Sequence, residues 1–172
     1  MTAYRLNPLR HWPLVAAGIS ALMLAIAHGF QTFGGLAPCE LCLHQREVYW
    51  VAIAVALIGF AAARMLRRRW APPLACGLLA LVFLFGAGLA AYHAGVEWKW
   101  WPGPQSCTGG GQVSADAIAN LLAGKKIAPP QCDKAAWVWL GLSMAGWNAL
   151  ASLGLAVLSA VSAWRSHRRQ AA

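Results

Sequence analysis

Residues 70–96 read WAPPLACGLLALVFLFGAGLAAYHAGV and contain no Asp, Glu, Lys or Arg. A helix needs about 20 mostly apolar residues to cross the hydrocarbon core of a bilayer. The run is long enough for that crossing, so it predicts a membrane protein rather than a soluble domain.

Three further runs lack these charged residues, and each predicts another span. They cover residues 12–39, 48–63 and 135–164. Only 11% of the 172 residues are charged, whereas soluble domains carry about 25%. We therefore expect an all-α membrane protein with a single domain, residues 1–172. Its four transmembrane helices are predicted at about 12–32, 43–63, 71–93 and 136–163.

The distribution of charge predicts the orientation of this bundle. The net charge is +9, and nine arginines fall on one side of a four-span arrangement: Arg5, Arg10, Arg64, Arg67, Arg68, Arg69, Arg165, Arg168 and Arg169. By the positive-inside rule that side is cytoplasmic. Both termini are then cytoplasmic, and the loops at about 33–42 and 94–135 are periplasmic. The basic clusters suit membrane lipid, and no nucleic-acid partner is expected.

The first span has one competing interpretation. A basic N-terminus, an apolar stretch and Ala25-Ile26-Ala27 resemble a secretory signal with its cleavage site. The apolar run continues past Ala27, which favours a retained span, but cleavage stays open.

The stretch APCELCLHQR, residues 37–46, places two cysteines at a predicted helix start. Pro38 precedes Cys39, and the second span is expected to begin near Cys42. A helix N-terminus favours an anion, and cysteine thiolates are stabilised there and beside arginine. Arg46 lies one turn after Cys42, on the same helical face. A thiolate is therefore favoured at Cys42.

The longer outer loop carries Cys107 and Cys132. Residues 114–124 between them predict a short amphipathic helix, either on the lipid surface or packed on the mouth of the bundle. The fifth cysteine, Cys76, lies within a predicted span and is expected to be a small apolar core residue.

Three interpretations compete for the four outer cysteines. A structural bridge suits Cys107 and Cys132, which would close a loop of about 25 residues, but it does not suit a C-x-x-C pair. A four-cysteine metal site lacks a second C-x-x-C, and we expect no metal. A dithiol relay requires only that the pairs approach and that one thiol ionises. No G-x-G-x-x-G nucleotide motif is present, so a lipid-soluble quinone is the expected electron acceptor.

The chain resembles the DsbB family (disulfide bond formation protein B) along nearly its whole length. Three strings carry the resemblance: Pro38-Cys39-x-x-Cys42 with Arg46, Tyr92-His93, and Cys132 followed by Trp137 and LGLSMAGWN at 140–148.

The resemblance implies a thiol:quinone oxidoreductase of the bacterial inner membrane. Cys107 and Cys132 would accept electrons from a periplasmic thioredoxin-fold dithiol oxidase, DsbA or a relative. Cys39 and Cys42 would reoxidise that pair and pass the electrons to ubiquinone or menaquinone. Arg46 and His93 would bind the quinone.

Two alternatives remain at this point. A vitamin-K-epoxide-reductase-like protein also couples cysteines to quinone, but its membrane-facing C-x-x-C comes near the last span instead of after the first. The other alternative is a non-enzymatic membrane protein whose loop is stapled by disulfides or binds a metal.

Overall fold

The computed structural model describes residues 11–65, 70–104, 122 and 131–171 of the chain. Four long helices dominate this part: α1 (Trp12–Thr32), α2 (Glu40–Met65), α3 (Ala71–Glu97) and α4 (Met144–Ala171). All four are long and apolar enough to cross a bilayer. The predicted four-helix membrane fold is confirmed.

The helix lengths exceed the thickness of the hydrocarbon core. The helices α2, α3 and α4 contain 26, 27 and 28 residues, which corresponds to roughly 40 Å at 1.5 Å per residue. The core is about 30 Å thick, so the helix ends extend into the interface. At the inner, cytoplasmic end, Arg64 lies over Phe60 and Arg168 over Trp164, with guanidinium-to-ring distances of 5.6 and 4.3 Å.

The central helix of the bundle is α3. It packs along both α2 and α4, whereas α1 packs mainly on α2 and makes little contact with α4. Glycine permits the close approach of α2 and α3. A Cβ on Gly59 would lie 2.3 Å from Cβ of Ala75, and one on Gly86 would lie 2.9 Å from Cγ1 of Val48. Small residues at such contacts are typical of membrane helix packing.

The inner half of the bundle, nearer the cytoplasm, is almost entirely apolar. Its core includes Cys76, Leu79 and Phe83, all nearly fully buried. Trp12 is also buried there, and its indole N–H donates to Ser159 Oγ at 2.8 Å. Large apolar side chains on the outward faces are exposed, as expected for surfaces that contact lipid.

Residues 138–143 form a β-hairpin where the sequence predicted the start of the fourth span. Strand β1 (Val138–Trp139) pairs antiparallel with β2 (Leu142–Ser143). Leu140 and Gly141 form the turn with φ values of 50° and 78°, as a two-residue type I′ turn requires. The hydroxyl of Ser143 then accepts a hydrogen bond from the Gly146 N–H at 3.1 Å, which caps α4. Hydropathy did not indicate this hairpin, because its residues are as apolar as a span.

Some predictions fall on other parts of the chain. The helix predicted over residues 114–124 lies outside the described residues, apart from Leu122. Retention of the first span beyond Ala25-Ile26-Ala27 stays a prediction.

Candidate active site at the outer end of the bundle

Cys39 and Cys42 lie at the N-terminus of α2. The helix begins at Glu40, slightly earlier than predicted, so Cys39 takes the N-cap position and Cys42 lies in the first turn. The Cys42 N–H donates to Sγ of Cys39 at 3.3 Å, and the Leu43 N–H donates to the Cys39 carbonyl at 3.1 Å. The Cys39 sulfur therefore has the capping role that an oxygen usually has.

The two cysteines are free thiols whose sulfurs lie 2.7 Å apart. A disulfide bond measures about 2.05 Å, so a small closing movement joins the two sulfurs on oxidation. The hydrogen bond with Cys42 raises the pKa of Cys39, and burial raises this pKa further. Cys39 thus retains its proton and donates to Cys42. Negative charge on Cys42 is compatible with this arrangement, and the thiolate expected there stays a prediction.

His93 of α3 lies beside this pair. It is 3% exposed, and its Nε2 is 3.6 Å from Sγ of Cys39. Its other ring nitrogen, Nδ1, is 2.8 Å from Nε2 of Gln45. The structure therefore brings His93 to the cysteines. Gln45 of α2 contacts the other ring nitrogen of the imidazole.

A chain of buried polar contacts continues from His93 across the bundle. Nδ2 of Asn148 donates to Oε1 of Gln45 at 2.6 Å, and the Tyr49 hydroxyl donates to Oδ1 of Asn148. The Tyr49 hydroxyl also lies 3.2 Å from Oγ of Ser152. These contacts join α2, α3 and α4. Buried polar groups need partners because an unmade hydrogen bond is costly in a low dielectric, so the chain fixes the orientation of the imidazole.

Glu97 is a buried carboxyl next to the same histidine. Its side chain is 6% exposed, and Oε1 lies 3.8 Å from Nε2 of His93. The Ser143 hydroxyl lies beside this carboxyl. The second oxygen, Oε2, is buried with no hydrogen-bond partner among the residues that the structure describes. Such a carboxyl at the end of a membrane-spanning helix marks a functional site more often than a structural one.

Arg46 connects the cysteine helix to α1. Its guanidinium donates to Oε1 of Gln31 at 2.6 Å and to the carbonyl of Ala27 at 3.1 Å. The sequence predicted that Arg46 would act on the thiolate and on a quinone. In the structure its hydrogen bonds hold the end of α1, and the side chain also lines the cavity described next. Its action on the thiolate and on a quinone stays a prediction.

A cavity of about 820 Å³ opens in front of the cysteines. Its polar lining includes Cys39, Cys42, Gln45, Arg46, Tyr49, His93, Glu97 and Asn148. Apolar residues of α1 and α4 and the indoles of Trp137, Trp139 and Trp147 supply most of the remaining wall. The indole N–H of Trp147 donates to the Trp139 carbonyl at 3.0 Å, which ties the hairpin to α4. Small-molecule sites are typically apolar cavities of about 300–1,000 Å³ with a few fixed polar groups.

Comparison with known proteins agrees with this site. The family model for disulfide bond formation protein DsbB matches residues 9–162. Disulfide bond formation protein B of Methylococcus capsulatus is 31% identical, and the alignment covers 86% of this chain and 90% of the relative. The Dechloromonas aromatica protein of that name is 33% identical over 86% and 88% of the two chains. The chain belongs to the DsbB family. No solved structure gave a significant match.

Members of the DsbB family are quinone-dependent oxidoreductases that generate disulfides in the bacterial inner membrane. The chain is accordingly a multi-pass membrane enzyme of this class. The vitamin-K-epoxide-reductase-like and non-enzymatic alternatives are not favoured.

Cys132 of this DsbB-family chain packs directly on the C-x-x-C pair. It is disulfide-bonded and fully buried. It shares an apolar cluster with Cys39, Leu41 and Val96, and its backbone hydrogen-bonds to His93. Cys107 lies outside the described residues, so its pairing with Cys132 stays a prediction.

An ion pair holds the segment that carries Cys132. Nζ of Lys99, just past the end of α3, donates to Oδ2 of Asp133. This hydrogen bond lowers the pKa of Asp133. Lys99 adopts a positive φ of 62°, and the Trp101 indole then stacks on Tyr92 with ring centroids 6.0 Å apart. The aromatic segment before Cys107 is therefore anchored on α3.

Sequence reasoning missed four residues of the site: Gln45, Tyr49, Glu97 and Asn148. The sequence does contain a pattern that indicates them. Polar residues recur at a spacing of four within otherwise apolar helices, as Gln45 with Tyr49, His93 with Glu97, and Asn148 with Ser152. That spacing places each pair on one helical face. Three such faces in one bundle indicate a shared polar site.

Proposed function

We propose that this enzyme oxidises a periplasmic thioredoxin-fold dithiol oxidase and delivers the electrons to a membrane quinone. The observation that carries the proposal is the free Cys39–Cys42 pair at the wall of a cavity of about 820 Å³ at the outer end of the bundle. Arg46 and His93 line the same cavity. A cysteine pair needs no quinone-sized cavity for a purely structural role.

The proposed route consists of two exchanges and one oxidation. The partner's two thiols reduce the Cys107–Cys132 disulfide, and the partner leaves as a disulfide. The resulting thiols reduce a Cys39–Cys42 disulfide through a mixed disulfide. The Cys107–Cys132 disulfide is restored, and its two electrons now reside on the thiols of Cys39 and Cys42. Reoxidation of Cys39 and Cys42 then releases two electrons and two protons. Contact of Cys132 with Cys39 in one apolar cluster supports direct exchange between the pairs.

The cavity fits a quinone ring. Its volume lies within the usual range for small ligands, its lining is largely apolar, and the fixed polar groups cluster at the cysteine end. A bound quinone supplies a two-electron, two-proton acceptor. In this proposal Cys42 faces that acceptor, Arg46 and His93 orient it by hydrogen bonding, and Cys39 holds the second proton.

The partner proposed here is DsbA or a relative, and the quinone is ubiquinone or menaquinone. DsbA has a reduction potential of about −120 mV. Its reoxidation therefore needs an acceptor more oxidising than the glutathione pools, whose reduction potentials are about −180 mV or below. A membrane quinone meets this requirement.

The test is quinone reduction by the purified full-length protein in lipid nanodiscs. Reduced thioredoxin-fold oxidases are supplied one at a time, with short-chain ubiquinone or menaquinone, and the loss of quinone absorbance is followed. We expect turnover that requires both the partner and the quinone. Cys76→Ala is the matched cysteine control and should turn over normally. Partner oxidation that proceeds equally well without any quinone would refute the proposed acceptor.

A further inference from the structure

The ligand atoms of Cys39, Cys42 and His93 all lie within 4.8 Å of one another. This cluster differs from a four-cysteine site, because a histidine of α3 takes the place of the second cysteine pair. Thiolate and imidazole together are typical ligands of zinc. The distances between these atoms decide whether one tetrahedral ion fits.

Two distances come close to those of a zinc site before any ion is present. With Zn–S of about 2.3 Å and Zn–N of about 2.0–2.1 Å, tetrahedral geometry places sulfur and nitrogen about 3.6 Å apart. Sγ of Cys39 and Nε2 of His93 lie 3.6 Å apart. A nitrogen and a carboxylate oxygen on the same ion would lie about 3.4 Å apart, and Nε2 of His93 is 3.8 Å from Oε1 of Glu97.

The two sulfurs need the largest adjustment. They lie 2.7 Å apart, whereas two thiolates on one zinc lie about 3.8 Å apart. Cys42 is only partly buried and borders the cavity, so its side chain has room to turn by this amount. Binding replaces the thiol protons with the ion, and those protons are released to solvent.

Glu97 is a second, independent observation that points to a cation. Its carboxyl is more than nine-tenths buried and lines the cavity. Its Oε2 has no hydrogen-bond partner within the described segments. A buried carboxyl oxygen without a partner is costly, and a turn of the carboxyl that brings Oε2 onto a cation offsets that cost.

The surrounding polar chain is suited to a metal-bound imidazole. Coordination through Nε2 leaves the proton on Nδ1, which then has to donate to an acceptor. Nδ1 faces the side-chain amide of Gln45. Amide oxygen and nitrogen are assigned rather than observed, so a turn of the Gln45 and Asn148 amides presents the Gln45 oxygen to Nδ1. Tyr49 can accept as well as donate, so the reversed chain stays complete as far as Tyr49, and only the hydrogen bond from the Gln45 amide to the Leu41 carbonyl is given up.

We propose that the reduced Cys39–Cys42 pair and His93 form a three-ligand site for a thiophilic divalent cation of the Zn²⁺ class, which a turn of the neighbouring Glu97 carboxyl toward the sulfurs completes. The disulfide form offers no thiolates and does not bind. The cation therefore occupies only the reduced enzyme and keeps both thiols from reoxidation. This site goes beyond the proposed electron route, and it requires neither the quinone nor the partner protein.

The test uses full-length protein in nanodiscs with Cys107→Ser and Cys132→Ser, so that only one outer pair remains. The protein is reduced anaerobically with a phosphine and titrated with Co²⁺. We expect one Co²⁺ per chain, with the intense visible bands of a tetrahedral ion and a near-ultraviolet thiolate band. Zn²⁺ should displace it, and protein oxidised at Cys39–Cys42 should show neither signal.

Two matched pairs of variants locate the ligands. Glu97→Gln and His93→Ala should each weaken Co²⁺ binding at least tenfold. Glu47→Gln and His44→Ala change exposed residues nearby and should leave binding unchanged. Full-affinity binding in either Glu97→Gln or His93→Ala would overturn the four-ligand site, as would binding by the oxidised protein. If His93→Ala does not fold, Glu97→Gln and the comparison of reduced with oxidised protein still decide whether the cation binds as proposed. Quinone turnover has no part in this titration, so either proposal can fail alone.

Discussion

The outer and inner halves of this bundle are built from the same four helices but differ in chemistry. In the outer half, Gln45, His93 and Asn148 are buried and joined by hydrogen bonds around a cysteine pair. In the inner half the core is apolar, and the buried hydroxyls of Ser20 and Ser162 have no hydrogen-bond partner among the described residues. A polar group costs free energy wherever it is buried. The contrast places the titratable and amide side chains in the outer half, where they both join the helices and border the cysteine pair, and leaves serine hydroxyls in the inner half.

The largest effect is expected at the cysteine pair itself. Cys42→Ser removes the sulfur that accepts the Cys39 hydrogen bond, and we expect quinone reduction to fall to the background rate. Because serine is nearly isosteric, the thermal midpoint should change by only a few degrees. Steady-state quinone reduction and thermal unfolding in nanodiscs measure both. Normal turnover by this variant would remove Cys42 from the route.

Interruption of the polar chain is expected to have the next largest effect. Gln45→Leu leaves Nδ1 of His93 and Nδ2 of Asn148 without their partner. Each unsatisfied buried group costs about 1–3 kcal/mol, so the free energy of unfolding should fall by at least that amount. We also expect kcat to fall more than quinone KM rises, since Gln45 positions the histidine beside Cys39.

Ser162→Ala in the inner half is the matched control for this change. Its hydroxyl has no partner within the described residues, so stability should be unchanged or slightly higher and activity normal. An equal loss of stability in Ser162→Ala and Gln45→Leu would contradict the proposed difference between the halves.

Arg46→Ala should act mainly on the quinone. The guanidinium holds Gln31 and the Ala27 carbonyl, and a hydrogen bond to a charged group is worth about 1.5–3 kcal/mol. We expect quinone KM to rise about tenfold or more, with the cysteines still able to exchange with the partner. Arg64→Ala at the inner end of α2 is the control and should leave KM unchanged. An unchanged KM in Arg46→Ala would show that this residue serves α1 alone.

Cys76→Ala should have a smaller effect. Cys76 is buried among apolar residues, and the loss of its sulfur should cost about 1 kcal/mol or less, comparable to one methylene. Activity and thiol trapping of the outer pairs should match the parent protein. Loss of turnover would mean that the inner half takes part in the chemistry.

The smallest expected effect is a pH dependence of the Cys132 segment. Lys99 lowers the pKa of Asp133 below its ordinary value of 3.8. A carboxyl with a depressed pKa contributes stability above its unfolded pKa and loses that contribution as the pH falls through the folded pKa. Protection of the segment around Cys132 from proteolysis should therefore be constant above about pH 4 and decline below it. Lys99→Ala should abolish this dependence, and a decline of the same size in Lys99→Ala would exclude the ion pair as its cause.

Hydropathy and charge predicted most of the fold, because the cost of burying charge in lipid restricts where helices can lie. The start of α4 was not predictable this way. Residues 138–143 are apolar, and only Gly141 and the capping Ser143 distinguish a hairpin from a helix. The cysteines, Arg46 and His93 could be named as candidates because their chemistry is local or carried by resemblance. Glu97, Gln45 and Asn148 were missed because their meaning depends on the pairing of three helices, which a single sequence does not specify.

Because α1 and α4 are in weak contact, the affinity of the cavity for a hydrophobic ligand should be expressed relative to the amount of lipid. Both helices line the cavity, yet they make little contact with each other, which leaves a seam in the cavity wall between them. A hydrophobic ligand that enters along this seam is drawn from the lipid phase. Its occupancy then follows the mole fraction of ligand in the membrane. Apparent KM values quoted per volume of buffer will rise with the amount of lipid in the assay, while values quoted per mole of lipid stay constant.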